Sequence, residues 1–187
     1  MNQNIASIIG LIYGASEMLL AYAKRRGQRD AAADAGSLRL IWLVVGASIG
    51  AAFFVARAFP EGAFGDVDVA WVGGLAIFIL GAALRWYAIF YLGRYFTIDI
   101  RVAEHQHVVD TGPYRFIRHP SYTGAFIQFL GLALCIGNIY SVLMMLVPVL
   151  VVFSYRIRVE ERALERGLSE AYASYRRRTK RLIPFVY

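Results

Sequence analysis

The chain has 187 residues, 58% of them hydrophobic and 18% charged, with a mean hydropathy of +0.50. This is too apolar for a soluble domain of its size and excludes a disordered chain or a secreted mini-protein. A lone Cys135 excludes an intrachain disulfide and a cysteine-cluster zinc site, and the net charge of +7 reads as membrane topology, not as a nucleic-acid footprint.

A helix needs roughly 17–25 apolar residues to cross a hydrocarbon core about 30 Å thick. The first candidate runs from Ile5 to Ala23, with Glu17 inside it and Lys24, Arg25, Arg26 and Arg29 directly after it. A signal peptide has the reverse charge order, so this segment is expected to be a retained helix. The second span, Leu38–Ala58, is bracketed by Arg39 and Arg57. The third starts near Val69, stays uncharged through Leu84 and ends near Leu92. Arg85, among Trp86, Tyr87 and Tyr91, is expected to snorkel outward at headgroup level.

From Ser121 to Tyr155 there are 35 residues without Asp, Glu, Lys or Arg. As one helix they would extend roughly 52 Å, overshooting the bilayer core. Gly137-Asn138 near the middle is a breaker pair, which predicts a hairpin of two helices, Ser121–Ile136 and Ile139–Tyr155. Pro148 is expected to kink the second. Gly10-x-x-x-Gly14 and Gly46-x-x-x-Gly50 would allow close helix approach, within one chain or between two, and leave the oligomeric state open.

Charge placement supports five spans. Lys24–Arg39 carries five basic and two acidic residues, Gly93–Pro120 four and three, and the tail from Arg156 nine and four. Phe59–Asp68 carries three acids and no base. All the basic segments share the cytoplasmic side if the N-terminus is outside and the C-terminus inside. The fold class expected is therefore an all-α integral membrane protein. Its first three spans lie in residues 1–92, followed by a region at 93–187 that combines the last two spans with a cytoplasmic loop and tail.

That second region holds groups an anchor does not need. Thr97–Val102 alternates polar and apolar and reads as a short extended piece. His105, His107 and His119 lie within fifteen residues, but no acid or thiol completes a familiar metal set, and no metal is assigned. Arg156 and Glu160 lie four apart, on one face of a helix leaving the bilayer, where an ionisable group is costly unless it faces a cavity or a partner. Arg158, Glu161, Arg162, Glu165 and Arg166 read as ordinary solvated charge pairs.

The run Gly112-Pro113-Tyr114, then Arg118-His119-Pro120-Ser121-Tyr122-Thr123-Gly124, a hairpin turning at Asn138, Arg156 with Glu160-Glu161, and the closing Tyr172, Tyr175 and Arg181-Leu182-Ile183-Pro184-Phe185 resemble the isoprenylcysteine carboxyl methyltransferase family. The phospholipid N-methyltransferases are its wider relatives. The likeness covers Gly93 to Tyr187, about half the chain. It implies a membrane enzyme that transfers a methyl group from S-adenosylmethionine to a lipid-borne nucleophile. It further implies that Gln106, His107, Val108, Val109, Tyr114, His119, Pro120, Ser121, Tyr122 and Glu160 hold the cofactor, and that Arg156 faces the substrate. The family often has His where this chain has Gln106, between His105 and His107.

The residues' own chemistry agrees. A sulfonium with an α-amino cation gives Glu160 an electrostatic partner, and no G-x-G-x-x-G offers a Rossmann site instead. An acceptor carboxylate needs no base and suits the planar fork of Arg156, whereas an amine or phenol would make His119 a candidate catalytic base. The acceptor class is thus a prenylcysteine-like carboxylate on a small molecule or protein, with phenolic lipids and phospholipid amines as alternatives. Other classes are an NADPH-dependent membrane reductase and a non-enzymatic membrane component. The basic tail is also suited to anionic membrane lipids.

Overall fold

The computed structural model describes residues 14, 35–96 and 107–183. The expected first span, the Thr97–Val102 stretch, Glu104, His105 and Gln106 lie outside the described residues. Among the described residues four α-helices follow in order: α1 (Ala35–Ala58), α2 (Val67–Leu92), α3 (Pro120–Ile136) and α4 (Ile139–Arg178). Among the described residues extended pairing is confined to two isolated bridges, Ala63 with Asn138 and Ile117 with Lys180. Helices α1, α2 and α4 are long and apolar enough to cross a membrane, and α3 is a shorter apolar helix. The all-α membrane class expected from composition is what the fold shows.

Local chemistry sets the helix ends. The Asp66 carboxylate accepts from the backbone N–H groups of Asp68 and Val69 at 3.1 and 3.0 Å, capping α2. Helix α3 opens on Pro120, whose missing N–H costs nothing in the first turn. It closes at Gly137, whose φ of 77° needs no Cβ. Asn138 then caps α4, its Oδ1 accepting from Tyr140 N and Ser141 N at 2.9 and 3.2 Å. The predicted breaker pair is therefore both a stop and a start. Asn138 Nδ2 also donates to Phe59 O at 2.8 Å and Phe64 N to Gly137 O at 2.8 Å, which fastens the acidic loop to the hairpin turn at one end of the bundle.

Helices α2 and α3 run antiparallel along a glycine seam. A Cβ on Gly74 would lie 2.7 Å from Gly131 O, and one on Gly81 would lie 2.7 Å from Gly124 O. Each helix carries its two glycines seven residues apart, so both fall on one face and the backbones meet directly. The x-x-x spaced pair at Gly46 and Gly50, by contrast, meets nothing within 4 Å among the described residues. On the other side α1 packs against α4 and the inner face of α3 around Val45, Ala52, Phe129, Leu132, Met145, Val149 and Phe153. Ser141 Oγ donates to Ala52 O at 2.7 Å, so the polar atom this crossing buries is satisfied. Leu43, Phe54, Leu80, Phe90 and Val151 point outward and exposed, as lipid-facing residues do where the surrounding solvent is hydrocarbon.

The dihedral angles inside α4 leave helical values at Ser169 (φ 46°, ψ −125°), where the helix bends. One expectation is corrected. Arg85 does not snorkel outward. It is half-buried, and its Nη1 donates to Ser121 O at 3.2 Å across the α2–α3 seam, because the close glycine packing brings a backbone carbonyl within its reach.

Candidate active site

Helix α4 runs unbroken from Ile139 to the bend at Ser169, roughly 45 Å, so its charged part from Arg156 projects beyond the uncharged Ile139–Tyr155 portion. Its projecting face meets the turn at Gly112–Arg115, the start of α3 and the segment after Thr179. Gly112, at φ 55°, lies so close to the Tyr91 ring that a Cβ would fall 2.6 Å from the ring carbon Cε2. Tyr91 Oη donates to Thr111 Oγ1 at 2.9 Å. Tyr114 is thereby turned inward, donating through its hydroxyl to Ala88 O at 3.2 Å, while Tyr175 donates to Tyr114 O at 2.6 Å. Burial, then the charge of Glu160, then Tyr175 push the Tyr114 phenol well above its ordinary pKa, so it remains protonated.

These elements line a cavity that is partly open to solvent. His107, Val108, Val109, Tyr114, His119, Ser121, Tyr122, Arg156 and Glu160 all line it, so residues up to 53 positions apart in sequence (107 to 160) are brought around one cavity. Pro120 does not line it. It is fully buried as the first residue of α3 and acts through the backbone it fixes. Gln106 lies outside the described residues. The cavity has two chemistries. One half is polar, with Tyr95 Oη 3.2 Å from His107 Nδ1, Tyr122 Oη donating to Glu160 Oε2 at 3.1 Å and His119 Nδ1 3.9 Å from Glu160 Oε1. The other half is walled by Leu38, Ile41, Trp42 and Val45 of α1 with Ala125, Phe129 and Phe153. Arg156 stands at their junction. It is 2% exposed, Nη1 donates to Ser37 Oγ, and the Tyr122 phenol interacts with both Arg156 and Glu160.

Glu161 corrects a second group of expectations. It is not a solvated pair member but is 3% exposed. Its Oε1 accepts from Arg118 Nε at 2.8 Å and its Oε2 from Arg181 Nε at 2.9 Å, with His119 Nε2 3.6 Å away. Arg118 Nη1 further donates to Thr179 O and, at 3.2 Å, to Arg176 O. Burial alone would raise the Glu161 carboxyl, but the nearby His119 and the hydrogen bonds from Arg181 and Arg118 outweigh it and hold the group well below the usual carboxylate range. Backbone bonds from Arg118 N to Lys180 O (2.8 Å) and His119 N to Arg181 O (3.0 Å), with a side-chain bond from Thr123 Oγ1 to Leu182 O (2.8 Å), lay the last described segment across the start of α3. A run of alternating charges on a helix hides such a residue. The signal available was its place directly after Glu160, which puts it on a neighbouring face of α4. Glu165 and Glu170 do make exposed pairs, with Arg176 and Arg177.

The sequence model of the isoprenylcysteine carboxyl methyltransferase family matches residues 74–166. Protein-S-isoprenylcysteine O-methyltransferase B of Arabidopsis thaliana is 39% identical over 115 residues, covering 60% of this chain and 58% of that protein. The Schizosaccharomyces pombe protein-S-isoprenylcysteine O-methyltransferase is 35% identical over 115 residues, covering 60% and 48%. A solved eukaryotic intramembrane Ras methyltransferase, an isoprenylcysteine carboxyl methyltransferase, superimposes with a TM-score of 0.64 at 26% identity, covering 78% of this chain and 52% of its own. The chain thus spans 48% to 58% of the length of these relatives. The matched segment begins at the glycine seam and ends in the charged half of α4, and over these residues the chain belongs to the isoprenylcysteine carboxyl methyltransferase family.

Proposed function

We propose that the protein methylates the carboxylate of a lipid-borne, prenylcysteine-like acceptor with S-adenosylmethionine as donor, at the cytoplasmic face of its membrane. The observation that carries this reading is a single cavity with a carboxylate in its polar half, an apolar wall on the other side and a buried arginine between them. When bound, S-adenosylmethionine supplies an electrophilic methyl group on a sulfonium. The residues present fit such a group. Glu160 offers a partly buried carboxylate to a cation, and His107, Val108, Val109, Tyr114, His119, Ser121 and Tyr122 surround it with aromatic faces and backbone polar atoms, the mixture that small-molecule sites use. Tyr122 orients the Glu160 carboxylate. The Leu38–Val45 face with Phe129 and Phe153 takes an apolar tail and keeps water out.

Arg156 would hold the acceptor carboxylate with charge-assisted hydrogen bonds while Ser37 keeps the fork in place. Such a carboxylate is already ionised at neutral pH, so no base is required and alignment is the main demand. A permanent cation at this junction disfavours an amine headgroup, which makes phospholipid amines the weaker alternative. His119 then serves as cavity wall and would become a base only for a phenolic acceptor.

Calorimetric titration of S-adenosylhomocysteine into the detergent-purified protein tests the donor half. Saturable binding is expected, lost in Glu160→Ala. An S-prenylcysteine analogue with labelled donor tests the acceptor half. Arg156→Ala is expected to keep donor affinity and lose turnover, with poor rescue in Arg156→Lys because a point charge does not replace a planar fork. Full turnover in Arg156→Ala would sink the anionic-acceptor reading, and NADPH binding without S-adenosyl binding would sink the whole proposal in favour of a reductase.

A further inference from the structure

Tyr172 lies on the projecting half of α4, is 2% exposed and lines the cavity, yet its hydroxyl has no hydrogen-bond partner among the described residues. Tyr175, almost one turn further on, is 3% exposed, and its hydroxyl is bonded to Tyr114 O at 2.6 Å. The two rings meet edge to face at 6.0 Å. One phenol of this pair is therefore satisfied by the protein and the other is not. A buried hydroxyl without a partner costs stability that phenylalanine in the same place would not. Burial, then the charges of Glu161 and Glu160, push its ionisation well above the ordinary tyrosine range. At neutral pH the oxygen keeps its proton and is a buried donor within electrostatic reach of Glu161 and Glu160.

We infer that Tyr172 is a further binding residue of this cavity, its hydroxyl donating a hydrogen bond to an acceptor atom of the bound S-adenosyl compound. This rests on the cofactor reading given above. That reading rests on Glu160 and the His107–Tyr122 wall, whereas Tyr172 approaches from α4, twelve residues beyond Glu160 (172 − 160), as a neutral donor beside the carboxylate. It offers the ligand a kind of contact that Glu160, an acceptor, does not.

The test is calorimetry with S-adenosylhomocysteine together with thermal unfolding of the ligand-free protein, on wild type, Tyr172→Phe and Tyr175→Phe. Tyr172→Phe is expected to weaken binding about fivefold, the loss of one neutral hydrogen bond, while the ligand-free melting temperature stays the same or rises. Tyr175→Phe is expected to melt lower, since it orphans the Tyr114 carbonyl. Unchanged affinity in Tyr172→Phe beside a binding wild type would overturn the inference and leave the cofactor reading standing. A lower melting temperature, or failure to fold, would show that the hydroxyl has a structural partner and overturn it too. A wild type that binds no S-adenosyl compound would take both down together.

Discussion

The α2–α3 seam and the charged projection of α4 hold the same molecule together by opposite means. Along the seam Gly74, Gly81, Gly124 and Gly131 let two backbones meet directly, and the attraction is dispersion over short distances. At the projection Arg118, Glu161 and Arg181 interlock at 2.8 to 2.9 Å among buried groups, and the attraction is directional and electrostatic. The first tolerates no atom added; the second tolerates no charge removed. The two are joined at Arg85, which leaves α2 beside Gly124 and ends on Ser121 O, so the helix spacing set by glycines also sets where the cavity wall begins.

The largest effect should come from breaking the charged side. Glu161→Ala leaves Arg118 buried against a missing partner and is expected to cost roughly 3–5 kcal/mol, seen as a large fall in melting temperature. An unchanged value would mean that the backbone straps alone hold Arg118. The same carboxyl predicts an acid response. Its folded pKa is depressed, so its contribution is complete above the unfolded value of about 4.3 and is lost as pH falls through the lower folded one. Wild type should lose melting temperature on acidification more steeply than Glu161→Gln; parallel curves would assign acid sensitivity elsewhere.

The glycine side should break by a smaller amount. A Cβ on Gly131 would lie 2.7 Å from Phe78 Cα, and Gly131→Ala is expected to cost about 1–3 kcal/mol by overpacking; wild-type stability would show that the helices can part without loss. The smallest change sharpens the contrast. Gly73 neighbours Gly74 but a Cβ there meets nothing within 4 Å, so Gly73→Ala should leave stability unchanged or raise it by up to about 1 kcal/mol through helix propensity. Equal losses at Gly73 and Gly74 would remove the seam from the account.

Much of this was readable before any coordinates. Gly137-Asn138 was legible because an uncharged run too long for one span must turn somewhere, and only there are turn formers paired. Arg156 and Glu160 were legible because charge at the edge of an apolar helix demands an explanation. The seam was not, since glycines seven apart in a helix carry no signal until the facing helix supplies glycines at matching depth, and the shorter Gly46 spacing drew attention without a contact behind it among the described residues. Glu161 and Arg85 were misread for one reason: their partners lie 20 to 43 residues away in chain order, and periodicity reports only neighbours on the same helix. Tyr172 was visible as a residue, but an unpaired hydroxyl is a property of the assembled interior alone.

The strap from Thr179 to Leu182 bears on how the protein is made. Arg118, at the mouth of the cavity, receives its carbonyl partner from Thr179, 61 residues downstream, and the apolar hairpin lies between them. During synthesis the membrane helices can therefore be inserted and paired while the binding chamber still lacks one wall. A chain that stops anywhere in the charged half of α4 would leave the apolar helices paired with Arg118 and His119 lacking their partners from the strap.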